Sequence, residues 1–128
     1  MTLTTAYARD VQVDTTYGPV VGYTKEGAAV WRGIPFAAPP VGKLRFASPV
    51  PPEKWTTPRP AKENGHICPQ AASVAGIVVG HEDCLYLNVY APEDANPNSK
   101  LPVMVRPKHE TRNTKGRRNH TPHTYTRN

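Results

Sequence analysis

Two cysteines and two of the five histidines stand in pairs that could bind a metal. His66-Ile67-Cys68 and His81-Glu82-Asp83-Cys84 together offer two imidazoles and two thiols, the donor set of a structural zinc site. The second pair has workable spacing. In the first, one residue separates the ligands, tighter than the usual two to four, and on that ground no metal is expected. Gly33, Gly42, Gly65 and Gly80 do not form a phosphate-binding pattern, so no dinucleotide cofactor is expected either.

The elements that would position these residues are β-rich. Val11, Val13, Val20, Val21 and Tyr23 flank Tyr17-Gly18-Pro19, which predicts two short strands around a turn, with a second turn at Lys25-Glu26-Gly27. Ala29 to Ile34 is β-prone. From Pro35 to Pro60 there are eight prolines, which lack the N–H that a sheet ladder needs, so this stretch is expected as ordered loop or extended chain. Its Phe36, Leu44, Phe46 and Trp55, with Trp31 just before it, argue that it wraps a packed surface. Leu85 to Tyr90 alternates with period two and predicts a half-buried strand closed by Ala91-Pro92. After a polar loop, Leu101, Val103, Met104 and Val105 form an apolar run that suits a strand buried on both faces. No segment carries a convincing helical stripe; Ala71 to Val79 is the nearest, short and interrupted by Gly76.

Composition narrows the class. The chain has 128 residues, 38% apolar, with 15 prolines and 9 glycines. That size suits one domain at most, and so much Pro and Gly disfavours long helices. No run approaches the roughly 18 apolar residues of a membrane span, so no membrane partner is implied. Met1 to Val13 shows no basic start followed by an apolar core, so no export signal is visible and a cytoplasmic location is the default expectation. The net charge of +6 sits wholly in residues 106–128, which hold seven basic residues against Glu110 and lack Ala, Val, Ile, Leu, Met, Phe, Trp and Cys. Such a segment cannot offset its ordering entropy by burial and is expected to be disordered.

A longer pattern carries more information. Trp31-Arg32-Gly33-Ile34-Pro35-Phe36-Ala37-Ala38-Pro39-Pro40-Val41-Gly42, Leu44-Arg45-Phe46, Trp55, Cys68-Pro69-Gln70, Glu82 to Pro92 and Leu101-Pro102-Val103-Met104-Val105 occur in this order. Together they resemble the N-terminal region of type-B carboxylesterases, the carboxylesterase/lipase family that includes the cholinesterases, from about Tyr17 to Val105. The resemblance implies an α/β-hydrolase fold, here incomplete: residues 1–105 as its N-terminal β-rich portion, antiparallel strands plus Pro-rich loops of a mixed sheet, and 106–128 as a disordered basic tail. It also implies hydrolysis of carboxylic esters by a Ser nucleophile, a His base and an acidic orienter, with backbone N–H groups stabilising the oxyanion.

None of that machinery is visible. Where the family continues into a His-Gly-Gly-Gly oxyanion loop, this sequence has Arg106-Pro107-Lys108-His109-Glu110, and Ser48, Ser73 and Ser99 all lack the flanking glycines of a Gly-x-Ser-x-Gly elbow. No catalytic residue is therefore assigned, and the chain is read as inactive alone, with a small ester as substrate only for a complete family member.

Two structural pairs follow from the resemblance. Cys68 and Cys84 match positions that commonly form a disulfide, worth about 3 kcal/mol for a loop of this length; two reduced, buried thiols stay open as the alternative because no export signal is visible. Arg45 and Glu82 look like the family's structural ion pair, whose disruption would cost roughly 3–5 kcal/mol if buried. Trp31 and Trp55 are read as packing residues rather than as the lining of a substrate gorge. For the tail, the leading reading is non-native coding such as a shifted frame, because the resemblance stops abruptly after Val105. A regulatory extension and a segment contacting nucleic acid or another polyanion are the alternatives, the latter making the chain a small β-rich binding module.

Overall fold

The turn that Gly18 closes is built by Thr15, whose Oγ1 donates to the Gly18 carbonyl (2.7 Å) and accepts from the Tyr17 and Gly18 amides. It joins β1 (Asp10–Asp14) to β2 (Pro19–Lys25), which pair antiparallel with Val13 opposite Val20. Glu26 and Gly27 then turn the chain with positive φ at both residues (52° and 78°), the geometry of the two-residue hairpin turns whose twist matches a sheet. They lead into β3 (Ala28–Pro35). These are the strands and turns expected from the alternation. In the computed structural model, residues 9–72 and 76–107 are described.

The β2–β3 hairpin pairs only at its closed end, Tyr23–Lys25 against Ala28–Val30. Beyond that the strands splay, and β4 (Arg59–Pro60) enters the opening, parallel to Val20 and Val21. Ala61 stitches both sides: its N–H donates to the Val21 carbonyl and its carbonyl accepts from the Arg32 N–H, each at 2.8 Å. A proline-flanked segment thus joins a sheet because a non-proline residue makes both bonds.

β5 (Gln70–Ala71) and β6 (Val78–Val79) form a separate two-stranded ribbon. β7 (Tyr86–Pro92) adds antiparallel to the outer edge of β3, giving the order β1-β2-β3-β7. One extra residue on β3 between Trp31 and Ile34 makes a bulge. Gly33 sits in it with φ 68°, against the Glu63 carbonyl, where a Cβ would have no room.

Buried Val20, Ala29, Trp31 and Ala61 form the core, with Val11, Ile34, Trp55 and Ala91 packed against it. Trp31 crosses above Gly22, where an added Cβ would strike its ring, and its indole N–H donates to the Val11 carbonyl (3.1 Å). Trp55 does the same to Pro19 (2.8 Å), pinning the Pro-rich stretch to β2. Of the other anchors expected there, Phe46 is 95% exposed and Phe36 is also on the surface. The only helical feature among the described residues is a 3-10 turn, Gly42–Leu44.

Two expectations need correction. β7 is not half-buried on one face, since Leu87, Val89 and Tyr90 are all exposed. Leu101 to Val105 is not an inner strand: it has no strand partner among the described residues, and Val103 and Met104 are 68% and 86% exposed. Apolar composition favours a buried strand only where neighbours supply a ladder and two covering layers, and the described residues supply neither. Residues from Ala95 onward separate from those up to Asp94 as a second unit, whose described part contains a turn at Asn96–Ser99. The basic tail lies outside the described residues except for Arg106 and Pro107.

Candidate functional site

Chemistry-bearing side chains concentrate where the segment 66–86 meets the end of β3. Cys68 and Cys84 are joined there by a disulfide, Cα atoms 5.0 Å apart, and β5–β6 lies within the loop it closes. The arms of the loop also touch through backbone: the His81 N–H donates to the Ile67 carbonyl (2.8 Å), and the Cys68 carbonyl lies against Gly80, which has φ 107°. His66 and His81 project from opposite arms with ring centroids 4.4 Å apart.

Arg45 Nε meets Glu82 Oε1 at 2.5 Å, tying the Pro-rich segment to this loop. The side chains are 57% and 41% exposed. Water screens such a pair, so about 0.2–1 kcal/mol is its scale, and the figure for a buried pair does not apply.

Beside the loop lies a depression of about 390 Å³ lined by Arg32, Arg59, Lys62, Glu63, His66 and Tyr86. The Arg32 guanidinium stands between the Tyr23 and Tyr90 rings, 5.9 and 6.0 Å from their centroids, and its buried Nε has no hydrogen-bond partner among the described residues. Arg59 lies over Trp55 (5.7 Å), while Lys62 is held by Asp10 (2.7 Å). Tyr86 donates its hydroxyl to the Asp83 carboxylate (2.9 Å). Burial pushes the Tyr86 pKa up, the bond to Asp83 and that residue's negative charge add to the rise, and Arg59 opposes it. Tyr86 therefore works at neutral pH as a fixed donor, not as a base.

The arrangement is that of a braced surface rather than a nucleophile with its base. Ser99 accepts a bond from its own turn, Ser48 is exposed in the Pro-rich stretch, and among the described residues no hydrogen bond joins a serine to a histidine. Ser73 lies outside the described residues. Among those described, no group of three or more His, Cys, Asp and Glu side chains converges as a metal site, and no helix is long and apolar enough to cross a membrane.

The model of the carboxylesterase family matches residues 9–111. The chain belongs to the carboxylesterase family. A para-nitrobenzyl esterase of Bacillus subtilis (strain 168) is 46% identical over 98 residues, covering 73% of this chain and 20% of the relative. Carboxylesterase 1F of Mus musculus is 43% identical over 112 residues, with the same two coverages. A solved PNB esterase structure is 44% identical with a TM-score of 0.64 over 73% of this chain and 20% of its own. The chain thus spans about a fifth of the length of these relatives, carboxylesterases of the α/β-hydrolase fold, and corresponds to a β-rich portion of that fold.

Within this carboxylesterase-family chain, sequence reasoning singled out Arg45, Glu82, Cys68 and Cys84, and the structure brings them into two adjoining pairs. It missed the Tyr86–Asp83 bond and the Arg32–Arg59 depression. Both depend on the bulge at Gly33 and on β4 entering the sheet, neither of which alternation reveals. Asn88 accepts the Gly33 N–H at 3.0 Å and donates to Asn64 (3.0 Å), fastening the bulge.

Proposed function

We propose that these residues form the N-terminal structural part of a carboxylesterase-family ester hydrolase, and that the 128-residue chain does not hydrolyse esters by itself. The reading is supported above all by the absence, anywhere in the sequence, of a serine flanked as Gly-x-Ser-x-Gly and of a His-Gly-Gly-Gly run. Acyl transfer by this route needs a nucleophile activated by a base and N–H donors aimed at the developing oxyanion. In a protein containing this region, the work of these residues is to brace the Pro-rich segment, through Trp55 and Arg45, against the sheet and the disulfide-closed loop. The substrate of such a protein is a carboxylic ester.

The test is incubation of the purified chain with a short-chain p-nitrophenyl ester, where the release of p-nitrophenol is expected to equal that of buffer. Hydrolysis abolished by an organophosphate would mean a working serine site and would overturn the proposal.

A further inference from the structure

The depression beside the disulfide-closed loop holds two guanidinium groups without a counter-charge. The ion pairs among the described residues are Arg9–Glu93, Lys25–Glu26, Arg45–Glu82 and Lys62–Asp10, and neither Arg32 nor Arg59 enters one. Both are held by aromatic rings instead, Arg32 by Tyr23 and Tyr90, and Arg59 by Trp55. A ring attracts the face of a guanidinium and takes up none of the N–H donors, which lie in its plane. For Arg32 the shortfall is plain, because its buried Nε has no acceptor among the described residues, and a buried donor costs free energy until it finds one. Lys62 differs, since Asp10 already answers its charge. Glu63 shares the lining and offsets one of the two guanidiniums, so, His66 aside, the unpaired side chains sum to a single positive charge. The rest of the lining is apolar or bare backbone: Pro60, the Tyr86 ring, and Gly65, which lies so close against that ring that a Cβ would not fit.

We propose that this depression binds a small organic carboxylate, whose oxygens accept from Arg32 and Arg59 while its apolar body lies on Tyr86 and Pro60. A carboxylate matches the edge of a guanidinium through parallel N–H···O bonds, and these are stronger than bonds between neutral groups. The charge of the lining selects a monoanion: a phosphate dianion would exceed the unpaired positive charge and stand against Glu63, and a neutral amide would bring no charge at all. The volume of about 390 Å³ falls at the lower end of small-molecule sites, roughly 300–1,000 Å³, and has room for an acid with one ring. Arg32 is brought there by β3 beside its bulge, and Arg59 by β4 where it enters the sheet, so the site exists only once both elements are in place. The inference does not rest on ester hydrolysis.

The experiment titrates the full, isotope-labelled chain with sodium benzoate at constant ionic strength and follows the arginine Nε–H and backbone amide resonances. Saturable shifts are expected at Arg32, Arg59 and Gly65, with millimolar affinity. R32Q and R59Q should each weaken binding by about tenfold. E63Q, a change at an exposed side chain, should tighten it by about threefold by removing a repelling charge. Benzamide should leave these resonances unmoved. Acetate, the head of an acidic side chain without the apolar body, should bind about fivefold more weakly, and inorganic phosphate should also bind more weakly than benzoate. If R32Q fails to fold, R59Q and E63Q carry the test. No saturable shift with benzoate would overturn the proposal, as would an equal response to benzamide, undiminished binding in R59Q, or binding no tighter in E63Q. Acetate binding as well as benzoate would assign the site to acidic side chains, and phosphate binding as well would make it a general oxyanion site; either result overturns the assignment to a small organic acid.

Discussion

Around Val20, Ala29, Trp31 and Ala61, side chains are withdrawn from water and the strands they belong to are held by what they cover. In the loop from Cys68 to Cys84 no described residue is buried, and order comes from one covalent bond, a small ribbon and polar pairs on the surface. The two regions abut, yet they answer to different agents. Denaturant and cavity-forming substitutions act on the first; reductant, salt and pH act on the second. Burial is also thin among the described residues, where half of the buried apolar residues are alanines, which makes each large side chain in the core count heavily.

Trp31→Ala should have the largest effect, costing about 3–5 kcal/mol in a urea titration, because a buried ring and its bond to Val11 go together. A cost under about 1 kcal/mol would locate the core elsewhere. Replacing Cys68 and Cys84 together by serine should cost up to about 3 kcal/mol through the freed loop. Amide exchange should then quicken in 66–84 before it quickens in β2 and β3, and uniform quickening would dissolve the contrast between the regions.

Tyr86→Phe removes one donor from a half-exposed carboxylate and should cost about 1 kcal/mol at neutral pH. Because the native hydroxyl holds its proton more tightly than the unfolded one, its contribution is complete below pH 10.0 and is lost as pH rises through the higher native value. The variant should therefore lose less stability than the parent between pH 10 and 12. Smallest is the Arg45–Glu82 pair: a double-mutant cycle should return a coupling of about 0.2–1 kcal/mol, with recovery on swapping the charges and most of it gone in molar salt. A coupling above about 2 kcal/mol would mean that the pair is sheltered from solvent.

The strands at 10–14, 19–25 and 86–92 were legible because Val, Leu and Tyr recur between turn residues whose chemistry dictates where the chain reverses, and 28–35 from its β-prone residues. β4 was not, since proline counting treats the whole stretch as unable to pair and cannot see that Ala61 alone serves both neighbours. The apolar run at 101–105 misled for the opposite reason: hydrophobicity states what a segment could bury, not whether anything is there to bury it. At the candidate site, residue types and family positions pointed to Arg45, Glu82, Cys68 and Cys84. The tyrosine bond and the facing histidines needed three dimensions, because they arise from arms of the loop that sequence spacing treats as separate.

The wedge at Ala61 also orders events in time. The turn at Glu26-Gly27 can close its hairpin from neighbouring residues within about 1–10 μs, whereas Arg59–Ala61 must be captured after the intervening chain has doubled back. Folding is thus expected to run as fast nucleation followed by slower insertion. Phi-values near one at the turn and near zero at Ala61 would reveal that sequence of steps, and the reverse ordering would refute it.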